Sequence, residues 1–335
     1  MSEPESIFEA LPGMQMPVAQ VMDTLSSMWH VPFEVGNQPA TDFRSSQMNL
    51  VLHFGLKTTP SEAIHVFNMA IAFAQKYPCR IIVLCPRGRE VSDELLEAKL
   101  FSQCYIGDIL RDMCCCEALM LGYPTRVAGF LEDQVSLWLE NDLPIYHWFY
   151  KVPAKHVADI YMGFIRRCRR AIYDASIEED DYSAIPWERP QAIRDLAYAR
   201  LLPVRQSLGQ FLSSFQPGSL VEGLRTIHIC YADEFCGEAH CLKKWFESCL
   251  ESCAEQSKTR FEGKFQLSVG CPQINHSLKV DWEFENKERS FKWFLCKDTG
   301  SSHIEANLGF GRTELALQIE LLNDEKVLAE ALFNA

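Results

Sequence analysis

The chain's apolar positions fall into two regimes. Over roughly the first two thirds, short apolar blocks alternate with stretches at helical spacing. Runs at 48–56, 80–84, 98–106, 112–122, 143–150 and 170–174 read as strands. Between and around them, 18–29, 60–77, 127–139 and 156–167 read as helices. Pro60 opens the second of these, with Ile64, Phe67, Met69 and Ile71 along its apolar stripe. Residues 1–16 read as a loose acidic tail, and 31–46, rich in Pro, Gly, Asn and Ser, as a loop. A strand at 226–231 and a helix at 238–253 follow. From 265 to 322 the period becomes two, as in Leu278-Val280-Trp282-Phe284 and Phe291-Trp293-Leu295, which predicts an antiparallel meander before a closing helix at 325–333. The expected class is α/β in the mixed α+β sense: two layered domains, 17–152 and 153–335, the second ending in the meander.

The segment 194–215 carries the densest pattern. Ala197, Leu201, Val204, Leu208, Phe211 and Phe215 form one apolar stripe. Arg194, Tyr198 and Arg205 lie along its edge, a combination suited to ion pairing or interface contacts. Pro203 has no N–H, so it kinks this helix or starts a second one. Trp187, between Pro186 and Pro190, is a candidate anchor for a partner or for local packing.

Charge narrows the partners. The 335 residues carry a formal net charge of -13. An acidic surface repels phosphate backbones and anionic lipids, so nucleic acid and membrane are not expected partners. The start, MSEPESIFEA, lacks the basic and apolar regions of a signal peptide, and the chain reads as cytoplasmic. Fourteen cysteines then imply reduced thiols rather than a disulfide framework.

Several residues could carry chemistry. Cys114, Cys115 and Cys116 alternate faces on a strand, with Cys104 expected on the neighbouring strand; a redox site and buried small side chains are both open. Cys236, His240, Cys241, Cys249 and Cys253 have zinc-type donors without a C-x-x-C knuckle. His147, His228 and His240 are candidate bases that nothing in the sequence brings to a nucleophile. Gly309-Phe310-Gly311-Arg312 reads as a hairpin turn rather than a phosphate loop, and no G-x-G-x-x-G is present. No metal or cofactor is expected.

A collinear set of segments supplies a further indication. Asp195-Leu196-Ala197-Tyr198-x-Arg200-Leu201-x-x-Val204-Arg205 resembles the D-L-x-W-x-R-L-x-x-W-R segment of the OpcA family, with Tyr198 and Val204 where the family has tryptophan. Pro78–Leu84 resembles its H-P-x-R-V-I-V strand, Leu143–Trp148 its L-P-x-x-x-W-W strand, and Arg170–Ser176 its R-x-I-x-D-S-S segment. The resemblance implies a non-catalytic assembly factor and allosteric activator that binds glucose-6-phosphate dehydrogenase in the pentose phosphate pathway, with thiol control of the complex. Arg194, Asp195, Tyr198, Arg200, Arg205 and Trp187 are the expected partner-binding residues, with Asp195 orienting an arginine. The alternative is a Cys-dependent or zinc-containing enzyme built on 236–253.

Overall fold

The computed structural model describes residues 6–29, 34–35, 38–39, 46–88, 96–106, 113–270 and 277–334. Two compact units emerge. The first comprises Met1–Asp174, Glu178–Arg194 and Leu328–Ala335; the second comprises Ala175–Ile177 and Asp195–Val327. The expected boundary at 152/153 falls inside the first unit, and the chain's last residues return to it. The mixed α+β class holds, with one large sheet in each unit.

The first unit contains the strands β1 (Met14–Met16), β4 (Met48–Phe54), β5 (Cys79–Arg87), β6 (Glu97–Ile106), β7 (Met113–Pro124), β8 (Ile145–Tyr150) and β9 (Arg170–Tyr173), with β10 (Ile193–Asp195) at its edge. A separate two-stranded piece pairs β2 (Glu34–Val35) with β3 (Gln38–Pro39), inside the stretch expected to be loop. The large sheet runs β1-β6-β7-β5-β4-β8-β9-β10. Strands β7, β5, β4, β8 and β9 are mutually parallel. Numbered by their own sequence order they read 3-2-1-4-5, the doubly wound arrangement whose switch point lies between β4 and β8. Every residue of β4 is buried, as a central parallel strand requires. The helices are α1 (Ile7–Ala10), α2 (Val21–Trp29), α3 (Pro60–Lys76), α4 (Leu131–Trp138), α5 (Ala154–His156) and α6 (Met162–Arg166), the last two joined by a π-helical turn.

The expected loose tail is a structured edge over its described part. Ser6 and Glu9 close a capping box at the start of α1. Ile7, Phe8 and Leu11 are buried. Lys99 anchors this end: its buried ammonium donates to the carbonyls of Phe8 (2.6 Å), Glu9 (3.1 Å) and Leu11 (2.9 Å). β1 then pairs antiparallel with β6. Three apolar residues override the acidic composition, because their burial needs only one turn of helix.

The second unit contains α7 (Leu196–Arg200), α8 (Leu202–Leu212), α9 (Pro217–Val221), β11 (Leu224–Tyr231), α10 (Cys236–Ser257), β12 (Lys264–Val269), β13 (Leu278–Phe284), β14 (Ser290–Cys296), β15 (Ser301–Asn307) and β16 (Arg312–Gln318). The closing helix, α11 (Asp324–Ala329), ends in a π-helical turn, Glu330–Asn334. The sheet order is β12-β11-β13-β14-β15-β16. The predicted meander is antiparallel from β13 to β16, but β12 pairs parallel with β11 after the α10 crossover. The alternation of β12 alone could not give that direction, since period two is common to both ladders. The inner faces of β11, β13, β14 and β15 pack against α8 and α10 around Ile227, Val280, Trp293, Val204, Leu208 and Phe246.

Candidate functional site

In the second unit, Pro203 sits in the first turn of α8 and α7 stops at Arg200, so of the two expected outcomes Pro203 starts a second helix. The apolar stripe is placed as expected. Ala197, Leu201, Val204 and Leu208 are buried, and Phe211 and Phe215 are partly buried against the same core.

The polar residues of this segment divide into two groups. Asp195 caps α7: Oδ1 accepts from the Ala197 N–H at 2.9 Å and from the Ala175 N–H at 3.1 Å. Its other oxygen accepts the Cys241 S–H at 3.3 Å. Burial pushes the Cys241 thiol up, and the adjacent Asp195 carboxylate adds to it. Arg200 forms an ion pair with Glu238, whose side chain is only 2% exposed. The second Glu238 oxygen accepts the Ser176 hydroxyl at 2.8 Å. Gly237 is required beneath this network: a Cβ there would lie 2.4 Å from the Ser176 nitrogen. Arg200 meets Glu238 while Asp195 caps α7 and holds Ala175, and together they form a network tying α7 and Ala175–Ser176 to α10. Glu238 and Ser176 were not singled out as site residues from the sequence, although Ser176 ends the Arg170–Ser176 segment and Glu238 lies in the first turn of a Cys-rich helix.

Tyr198 and Arg205 behave differently. The Arg205 guanidinium lies 3.8 Å above the Tyr198 ring centroid, a cation–π stack. Both residues are half-buried. Arg205 also donates to the Tyr198 carbonyl at 3.4 Å, while its buried Nε has no acceptor. The pair is therefore preorganised yet incompletely satisfied.

The 236–253 cluster is dispersed around α10. Cys241 turns inward to Asp195, and His240 Nδ1 lies 2.8 Å from its own helix's Cys236 carbonyl. Cys249 and Cys253 line an apolar cavity of about 460 Å³ together with Trp245 and Trp282. Burial raises both thiols, which disfavours the thiolate a nucleophile or metal ligand needs. Among the described residues, no three His, Cys, Asp or Glu side chains are grouped to hold a metal. His228 faces Glu283 at 3.7 Å. Gly309 and Gly311, both at positive φ, turn the chain between β15 and β16.

In the first unit, Arg194 donates to the carbonyls of Gln191 (2.7 Å) and Ile193 (2.9 Å). Trp187 packs against the core and donates its indole N–H to the Tyr182 carbonyl at 2.9 Å. Cys104 and Cys115 are cross-strand partners in the β6–β7 backbone register, and Cys116 is buried. His147 is buried too, and its Nδ1 lies 2.9 Å from Nε2 of His53, a residue sequence reasoning missed. Burial lowers His53, with His147 adding, and lowers His147 to about 3; both rings are neutral.

At the switch point of the parallel sheet the chain approaches itself closely. Gly55 follows β4 and lies so close to the loop after β8 that a Cβ would sit 1.6 Å from the Lys151 carbonyl. Thr59 and Glu62 form a capping box on α3. Glu62 also accepts the Lys151 ammonium at 2.6 Å. Burial works against the Glu62 charge, but these donors together hold its carboxyl below its ordinary value. Lys151, in left-handed backbone at φ 53, donates its N–H to Glu178 at 2.9 Å. Burial raises the Glu178 carboxyl to about 8. Doubly wound sheets receive phosphate at the helix N-terminus that follows their first strand. Here the Glu62 carboxylate is hydrogen-bonded at that helix N-terminus, to the Thr59 N–H at 2.9 Å.

Residues 70–186, which include β5, β7, β8, β9 and the Lys151 and Glu178 loops, match the family described as glucose-6-phosphate dehydrogenase subunit N-terminal domain, OpcA. A curated protein of Synechocystis sp. (strain ATCC 27184 / PCC 6803 / Kazusa), described as putative OxPP cycle protein OpcA, is 25% identical over 190 residues. That match covers 55% of this chain and 39% of the Synechocystis protein, so it spans about two fifths of the relative's length. Both findings support the resemblance to the OpcA family. Among solved structures, a 3-ketoreductase from Actinomadura kijaniata, KijD10, is similar at a TM-score of 0.41 with 10% identity over 84% of this chain and 86% of that one. An aldose-aldose oxidoreductase from Caulobacter crescentus gives 0.43 with 9% identity over 85% and 88%. Similarities of this order say nothing about activity.

Proposed function

We propose that this chain is a non-catalytic assembly factor that binds glucose-6-phosphate dehydrogenase in the cytoplasm and favours its active oligomeric state. The observation that carries the reading is the family match over residues 70–186. The switch point agrees with it: the helix N-terminus where a parallel sheet of this order would take a cofactor phosphate carries the chain's own Glu62 carboxylate. Activation then follows from preferential binding to one state of the enzyme, which shifts its population without any chemistry by the activator.

Within the second unit, the Tyr198–Arg205 stack is the proposed contact. An arginine held 3.8 Å over an aromatic ring centroid gives a partly desolvated anchor, the type enriched among binding hot spots. Asp195 and Arg200 act behind it by fixing α7. Control by thiols is proposed for the group Cys104, Cys114, Cys115 and Cys116 on β6 and β7.

The test titrates purified glucose-6-phosphate dehydrogenase from the same organism with the chain, following activity and particle mass under reducing and oxidising conditions. Saturable activation with a shift in mass is expected. No binding and no activation in either condition overturns the reading; activation that does not differ between conditions removes the thiol control alone.

A further inference from the structure

β16 is the outer strand of the second unit's sheet, and it is exposed along nearly its whole length. Its core-side residues extend beyond the helical cover. Leu315 is 37% exposed, although its neighbour across the ladder, Ile304, is fully buried. Phe310, in the turn leading into the strand, is 72% exposed. Natural edge strands are usually blunted by proline, lysine or a bulge. β16, Arg312-Thr313-Glu314-Leu315-Ala316-Leu317-Gln318, contains neither residue, and its register with β15 runs without a shift.

The free edge has a defined pattern. The Ile319 N–H donates to the Gly300 carbonyl at 2.7 Å, so the backbone of Ile319 faces β15. Alternation then directs 317, 315 and 313 toward β15 and leaves the N–H and C=O groups of 312, 314, 316 and 318 pointing away. An antiparallel two-fold centred on Leu315 matches these groups to themselves. Glu314 lies opposite Ala316 of a second copy, and Arg312 opposite Gln318, both as hydrogen-bonded pairs. No like charges are directly opposed. Glu314 is already neutralised by Arg312 of its own chain at 2.7 Å, which also holds Glu305 at 3.1 Å. On the core face, the two Leu315 side chains meet in a non-hydrogen-bonded pair, the closer kind, with Cβ atoms about 4.5–5.5 Å apart. Leu317 meets Thr313.

We propose that β16 is a self-association edge through which two copies of this chain join their sheets antiparallel, centred on Leu315. The pairing satisfies the outward backbone groups and joins two half-covered apolar faces. It is independent of the proposed enzyme partner.

Analytical ultracentrifugation of the full chain, without any enzyme present, tests it. The wild type is expected to show a concentration-dependent dimer of the 38.3 kDa chain. Ala316→Glu places a carboxylate opposite Glu314 twice per dimer and should raise the dimer Kd about tenfold. Ala316→Pro removes an outward N–H without touching the β15 ladder, so it should be monomeric with an unchanged melting temperature. For the register, Leu315→Cys should cross-link to a dimer under mild oxidation, whereas Thr313→Cys and the wild type should not. A monomeric wild type at about 100 μM overturns the proposal. So does a dimer indifferent to both Ala316 variants, or equal cross-linking of Leu315→Cys and Thr313→Cys.

Discussion

Two sides of one short segment divide the labour in the second unit. On the inner side, Asp195 and Arg200 are consumed by the fold: one caps α7 and holds Ala175, the other neutralises Glu238. On the outer side, seven residues along from Tyr198, Arg205 stacks over its ring and leaves Nε without an acceptor. All four belong to the same resemblance. The difference shows that residues of one short segment, all partly buried, can be tied into the fold to different degrees, and that the partners they hold separate them.

The largest expected effect would break the inner side. Arg200→Met removes an ion-pair partner from the buried Glu238 carboxylate, which costs about 3–5 kcal/mol. A large fall in the melting temperature of the second unit should follow, and a shift under about 1 kcal/mol would mean that Glu238 is hydrated or protonated. Asp195→Ala comes next. It removes the cap and the Ala175 acceptor, at about 1–2 kcal/mol by denaturant titration.

How much of this was legible follows from where the partners lie. The stripe from Ala197 to Phe215 was readable because helical periodicity is local. The role of Asp195 was half readable, since an N-cap is local, but its bonds to Ala175 and Cys241 join residues 20 and 46 positions apart. The Arg200–Glu238 ion pair was not readable, because Glu238 lies 38 positions away on another helix. In the first unit the parallel strands were visible as apolar blocks, while the close approach of Gly55 and Lys151 depends on strand order, which no local pattern encodes. Ile7, Phe8 and Leu11 were hidden by their acidic surroundings.

The first unit sharpens the comparison through pH, because its buried groups titrate. His147 is held at about 3 and His53 also lies well below 6.5. Their contribution is complete above about pH 6.5 and is lost as pH falls toward 3, since the unfolded chain binds protons that the folded pair refuses. His147→Gln, which retains a partner for His53, should flatten the acid side of a stability–pH curve. Glu178 has the opposite sign. With its carboxyl raised to about 8, its contribution is full below about pH 4.5 and is lost as pH rises through 8. Glu178→Gln should flatten the alkaline side. An unchanged curve in either variant would contradict the corresponding assignment.

The smallest effect on stability is expected on the outer side. Arg205→Ala removes one half-exposed cation–π contact and should cost under about 1 kcal/mol. Its effect on binding is where the central claim rests. The most direct measurement is the Kd of this chain for glucose-6-phosphate dehydrogenase, by calorimetry at a temperature where every variant is folded. Arg205→Ala should weaken binding by about 2 kcal/mol, roughly thirtyfold, while its melting temperature stays near that of the wild type. Wild-type affinity in Arg205→Ala, with a clear loss in Asp195→Ala despite intact folding, would contradict the division and move the interface to the inner residues.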